Sequence, residues 1–153
     1  MSPAWIPGSG IPKPTIVEFD AIWDTGASNS VITQTAIDEC GLVATGMAQV
    51  HGVHGVKSTE TYLVNIALPD NVVFTALRVT KGEIRGADIL IGMDIINKGD
   101  FSVTNCDGHS QFSYRTPSIE HIDYVAQAKA IQQPPQAQPQ TRAERRRAMR
   151  GRA

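Results

Sequence analysis

The chain has 153 residues, 41% hydrophobic and 19% charged, enough for one globular core with tails. No stretch approaches the roughly 20 apolar residues of a membrane-spanning helix. Residues 1–10 have neither the basic start nor the apolar core of a signal peptide, so a cytoplasmic protein with no membrane partner is expected. The net charge of −1 hides an asymmetry: residues 141–153 hold six arginines and one glutamate, and residues 1–140 hold 8 basic and 14 acidic residues. The body is acidic and the tail basic. Two cysteines, Cys40 and Cys106, give no disulfide framework and no metal-ligand spacing, and are read as buried free thiols.

Residues 1–14 contain Pro3, Pro7, Pro12 and Pro14 with Gly8 and Gly10, a composition that favours an extended or loosely attached segment. A strand-like run from Thr15 to Trp23 then delivers Asp24 into a Thr25-Gly26 turn. An acid at the inner end of a strand must be paired, hydrogen-bonded or protonated. Gly26 allows a close backbone approach that a side chain would block. After Ala27 and Ser28, Val31 and Ile32 resume the apolar pattern. Thr33 is placed to cap a helix over residues 34–40, with Ala36, Ile37 and Cys40 on one face and Gly41 as its stop.

Val50 to Val56, followed by Thr59 to Leu68, reads as a hairpin with a glycine-rich tip at Gly52, Val53, His54 and Gly55. Tyr62, Val64, Ile66 and Leu68 alternate with their neighbours as a half-buried strand does. Pro69-Asp70-Asn71 is a turn. The next strand, residues 72–80, is expected to turn Val73, Leu77 and Val79 to one side. Ile89 to Ile91 is a short run suited to a strand buried on both faces, and Gly92 permits close packing. Asp94 is placed to cap a brief helix over residues 95–98. Residues 101–105 and 110–115 flank Asp107-Gly108, a hairpin signal. Ser118 is placed to cap a helix from Ile119 to about Gln132, with Ile119, Ile122, Val125 and Ala126 as its apolar stripe. Residues 133–140 read as a linker rich in Gln, Pro and Ala, and residues 141–153 as an arginine cluster.

Three of these features occur together and in order. Asp24-Thr25-Gly26-Ala27 with apolar flanks resembles the active-site loop of the aspartic proteases. Val50 to Val56 is placed and spaced like their flap tip. Ala87 to Asp94, Ala-Asp-Ile-Leu-Ile-Gly-Met-Asp, is similar to the segment that packs beside the catalytic loop. With one Asp-Thr-Gly per chain, the resemblance is to the single-domain, retropepsin-like branch, closer to cellular and bacterial members than to viral ones. It covers roughly residues 15–116.

The resemblance implies an all-β fold, a closed barrel of the acid-protease type with two short helices, to which the helix over 118–132 is added. The implied organisation is a Pro/Gly-rich segment 1–14, a protease domain 15–117, the helix 118–132, and a disordered linker and tail 133–153. The implied activity is endopeptidase cleavage by an aspartate dyad formed across a homodimer, with Asp24, Thr25 and Gly26 catalytic. Ala27, Ser28, Gly52, Val53, His54, Gly55 and Ile91 would meet a peptide or protein substrate. No metal and no cofactor are implied. Because Ala27 offers no hydroxyl to stabilise the charged carboxylate, an optimum at mildly acidic to near-neutral pH is expected.

The chain also departs from the viral pattern. Ser28 and Met93 stand where viral members carry an Asp and an Arg that pair with each other. Two other functions remain open. One is a catalytically silent, peptide-binding dimerisation module of the same fold. The other makes residues 141–153 a nucleic-acid tether acting through its charge, although no aromatics are interleaved. His51 and His54 sit where protonation would bear on flap closure, but solvated loop histidines are the simpler reading. His109 and His121 complete no metal-ligand spacing.

Overall fold

The computed structural model describes residues 1–52 and 55–132. It divides into two units, residues 1–119 and residues 120–153.

The first unit is mostly β. Its strands are β1 (Ser2–Pro3), β2 (Ala21–Trp23), β3 (Val31–Ile32), β4 (Gly46–Gly52), β5 (Gly55–Ala67), β6 (Val73–Lys81), β7 (Ile89–Ile91), β8 (Asp100–Cys106) and β9 (His109–Arg115). Two short helices, α1 (Gln34–Glu39) and α2 (Met93–Ile96), interrupt them. Seven strands form one sheet in the order β1-β5-β6-β3-β7-β2, with β4 paired to β5 off that path; β8 and β9 pair only with each other.

The all-β class is as expected, but the barrel is not closed. The path of pairing ends at β1 on one side and β2 on the other. These edge strands have two and three residues, too few backbone groups to bridge the sheet's two ends. The strand expected over 15–23 is correspondingly reduced to its last three residues. Met1 to Pro3 occupies the β5 edge instead, with Ser2 opposite Asn65 and Pro3 opposite Val64. The amide of Val17 is left to donate to the Met1 carbonyl at 2.8 Å. The start of the chain is therefore tied down: the Met1 side chain is part of the core, and the Ala4 amide donates to Leu63 O at 3.1 Å.

Alternation along β5 buries Tyr62, Val64 and Ile66 against Ile32, Val79, Ile89 and Ile91, with Ala36 and Ile37 of α1 closing the cluster. The α1 signals act as expected. Thr33 accepts from the Ala36 amide, and Gly41 follows the helix with φ +59°. In β6 the expected apolar side is only partly right. The register shifts between Val64 and Ile66, where Ala76 takes φ +52° and its amide donates to Asn65 Oδ1 at 2.8 Å. This bulge reverses the facing of the residues before it. Phe74 packs on the core instead of Val73, which is exposed.

The β8–β9 hairpin turns through Asp107 and Gly108, both at positive φ (50° and 78°), the backbone of a primed two-residue turn. Its aromatic face covers Trp23, whose ring centroid lies 4.9 Å from Phe112, 4.9 Å from Tyr114 and 5.8 Å from Phe101. Asp100 ties the base of the hairpin, accepting from Arg115 Nε at 2.7 Å, from the Ser118 hydroxyl, and from the Ile119 amide at 3.1 Å. Those three donors, Ser118 foremost, hold its carboxyl well below the usual carboxylate range. Of the two thiols, Cys40 is half-buried and Cys106 is exposed, so the expectation of burial fails for Cys106, which sits beside the hairpin turn.

In the second unit, α3 spans Tyr124–Gln132. The helix expected from Ile119 starts later because Asp123, not Ser118, caps it. The Asp123 carboxylate accepts from the amides of Val125 and Ala126, each at 2.9 Å. No residue of α3 is buried. Among the described residues no helix is long and apolar enough to cross a membrane.

Candidate active site

The loop of residues 24–30 joins β2 to β3, and these strands flank β7. β2 runs parallel to β7 with Trp23 opposite Ile91, and β3 runs antiparallel to it with Val31 opposite Leu90. An acid placed one residue after β2 is thus carried to the end of a three-strand platform. The Asp24 amide donates to Ile91 O at 2.9 Å, which fixes where the side chain starts.

Within the loop, the Gly26 amide donates to Asp24 Oδ1 at 2.8 Å, and the Ala27 amide donates to Asp24 O at 3.3 Å. A Cβ on Gly26 would lie 3.2 Å from that same Oδ1. Asp24 and Ala27 are half-buried, while Thr25, Gly26 and Ser28 are exposed. The carboxylate accordingly has one oxygen held by backbone at the open side of the loop. This arrangement fits acid–base chemistry on a molecule approaching from solvent or from another chain.

The junction between β7 and α2 grips the loop from behind. The Met93 amide donates to Ala27 O at 2.8 Å. Ser30, fully buried, donates its hydroxyl to Asp94 Oδ1 at 2.7 Å and its amide to Asp94 Oδ2 at 2.9 Å. Its Oγ also accepts from the Gly92 amide at 3.1 Å. Asp94 is therefore not the N-cap of α2; Gly92 holds that position, without a side-chain cap bond. Sequence reasoning missed both members of this pair. Asp94 stands just before an apolar run, a local pattern that reads as a cap, and nothing local connects it to Ser30.

Of the remaining expected site residues, Gly52 and Gly55 face each other across the tip of the β4–β5 hairpin, and Gly55 has φ +111°. Val53 and His54 lie outside the described residues, as do residues 133–153 with the basic cluster. Ile91 is 2% exposed and belongs to the core, and its carbonyl holds the Asp24 amide from below. His51 and His109 are exposed. Among the described residues no group of three or more His, Cys, Asp or Glu side chains gathers to hold a metal ion.

Residues 17–98, more than half of the chain, match the profile of a family described as "gag-polyprotein putative aspartyl protease". Among solved structures, the chain is similar to a retropepsin-like aspartic protease from Rickettsia conorii, at 17% identity and a TM-score of 0.45, over 57% of this chain and 68% of that one. No match was found among curated proteins. The matched span takes in the Asp24 loop, the β4–β5 hairpin and the Ile91-Gly92 junction together, and the chain belongs to this retropepsin-like aspartyl protease family.

Proposed function

We propose that the protein is an aspartic endopeptidase whose active centre is completed by a second copy of the same chain. Asp24 supports this reading best. It is half-buried, one oxygen is fixed by the Gly26 amide, and it lies in a loop whose outer residues are exposed. A single carboxylate cannot supply both a base and an acid in one step. Two copies of Asp24 meeting on a two-fold axis can, because close carboxylates share one proton and their pKa values separate. The ionised member takes a proton from a water held between them. The protonated member hydrogen-bonds the scissile carbonyl and later helps protonate the leaving amine.

Thr25, exposed and without a hydrogen bond of its hydroxyl among the described residues, is assigned to bond across the dimer. Gly26 would contact the substrate backbone, with Ala27 and Ser28 beside it. The β4–β5 hairpin is assigned as the flap over an extended peptide, and the substrate contacts expected from sequence at Gly52, Val53, His54 and Gly55 are assigned with it. Main-chain bonds would provide affinity there and side-chain pockets selectivity. This chemistry calls on no metal or organic cofactor. The catalytic domain is taken as residues 15–117, a boundary drawn from sequence, and the setting as cytoplasmic.

The test is cleavage of a peptide library by wild type and Asp24→Asn at several pH values. Cleavage by wild type alone, strongest from mildly acidic to near-neutral pH, is expected. Peptide binding without cleavage by either chain would instead establish a silent binding module, and a maximum near pH 2 would contradict the role given to Ala27.

A further inference from the structure

We propose that Ser30 and Asp94 are positioning residues for Asp24: a buried hydrogen-bonded tether that sets the height and tilt of the catalytic loop. The proposal rests on the protease reading for its effect on rate, but the tether has a readout of its own.

The loop is held at three places. Its start is fixed by Asp24 N to Ile91 O, its middle by Met93 N to Ala27 O, and its end by Ser30. The first two are single backbone bonds that many sequences would preserve. The third is made by side chains and is chemically particular. Every polar group of Ser30 is engaged: its amide and hydroxyl donate to the two oxygens of Asp94, its Oγ accepts from Gly92 N, and its carbonyl accepts from Thr80 N at 3.2 Å. One residue thereby joins the loop, β6 and the β7–α2 junction.

Residue chemistry explains why the pair is Ser and Asp. Two donors converge on one side chain, so both of its outer atoms must accept, which a carboxylate does and an amide does not. Hydrogen bonds to an ionised acceptor are stronger than neutral ones. Ser30 is fully buried, so removing its hydroxyl leaves the Gly92 amide without its acceptor and takes one of two donors from Asp94 Oδ1, which keeps the Ile95 amide at 3.0 Å. Ser28 and Met93 carry no charge, so no ion pair joins loop and junction at those positions. Among the described residues, Ser30 makes the side-chain connections between them, to Asp94 and to the Gly92 amide.

A tether behind the loop acts on the reaction through geometry, not by touching substrate. A loop released at Ser30 would still carry Asp24, but its carboxylate would no longer be set in register with its twin.

The experiment uses the full chain as wild type, Ser30→Ala, Ser30→Thr and Asp94→Asn, with Asp24→Asn as the inactive reference. It measures kcat and KM against pH, together with amide hydrogen exchange. Ser30→Ala should lower kcat by roughly 30- to 100-fold while KM stays within about threefold, as expected for a misplacement near 1 Å. Exchange at Gly92 should accelerate while the β5–β6 amides stay protected. Ser30→Thr, which keeps the hydroxyl, should restore most of kcat, and Asp94→Asn should behave like Ser30→Ala.

Wild-type kcat in Ser30→Ala, or unchanged Gly92 exchange, overturns the tether. If Ser30→Ala does not fold, Ser30→Thr and Asp94→Asn decide by the same two readouts. If wild type and Asp24→Asn both fail to cleave, the protease reading fails by itself. Gly92 exchange then rules on the tether: acceleration in the variants upholds it and no change overturns it.

Discussion

A Cβ on Gly92 would lie 2.6 Å from the carbonyl carbon of Asn29 and 2.7 Å from its oxygen. Both are backbone atoms, so neither can swing aside as a flexible side chain would. The glycine at the end of β7 is therefore what lets the Asp24 loop lie directly on the β7–α2 junction. Gly92→Ala should push the loop outward and destabilise the fold by about 1–3 kcal/mol, the usual range for overpacking. Cleavage should fall by roughly 100-fold as Asp24 moves with the loop. Chemical denaturation and steady-state kinetics on the same preparation check both effects.

Trp23, one residue before Asp24, packs against Phe101, Phe112 and Tyr114. Removal of a large aromatic from a closed core costs about 3–5 kcal/mol. Trp23 is only half-buried, so Trp23→Ala should cost about 2 kcal/mol by the area it loses. Phe112→Ala should cost less, since Phe112 is 44% exposed. Urea midpoints that rank the two variants in the opposite order would show that the hairpin does not rest on Trp23.

Asp100 predicts an acid limb of stability. Its folded-state pKa is depressed by Ser118, Ile119 and Arg115, so below the ordinary carboxylate value the unfolded chain binds the proton more readily. The contribution is complete above the unfolded pKa of about 4 and is lost as pH falls toward the lower folded value. Thermal melts between pH 2 and 6 should show wild type losing more stability on acidification than Asp100→Asn. Parallel curves for the two would contradict the assignment.

The two thiols should separate by reactivity. Burial pushes the Cys40 thiol up from its ordinary pKa, while Cys106 is exposed at the hairpin end. The thiolate is the reactive form, so iodoacetamide at neutral pH should label Cys106 first. Mass mapping of a time course reads the order directly.

Much of the local fold, including the turn that carries the candidate site, is legible in the sequence because its signals are local. Asp24-Thr25-Gly26, the Thr33 cap with Gly41 behind it, and the Asp107-Gly108 turn each act over a few residues, where residue chemistry decides conformation. What the sequence hides is long-range. Ser30 meets Asp94 across 64 positions, and each has a simpler local reading. Val73 faces outward because a bulge near Ala76 resets the alternation, and β-period reasoning assumes no such shift. Ser118 has the look of a helix cap, but Asp100 claims its hydroxyl and Asp123 caps α3 instead. Closure of a barrel depends on whether distant edges reach each other, and no short window of sequence reports that.

The central claim is that Asp24 works only when it faces its own copy. Its most direct test is to mix wild type with Asp24→Asn at fixed total concentration, let subunits exchange, and measure cleavage. Two-fold pairing at random leaves only about one quarter of dimers with both aspartates in an equal mixture, so activity should follow the square of the wild-type fraction. A fall in simple proportion to that fraction, half the activity at equal amounts, would mean that each chain acts alone.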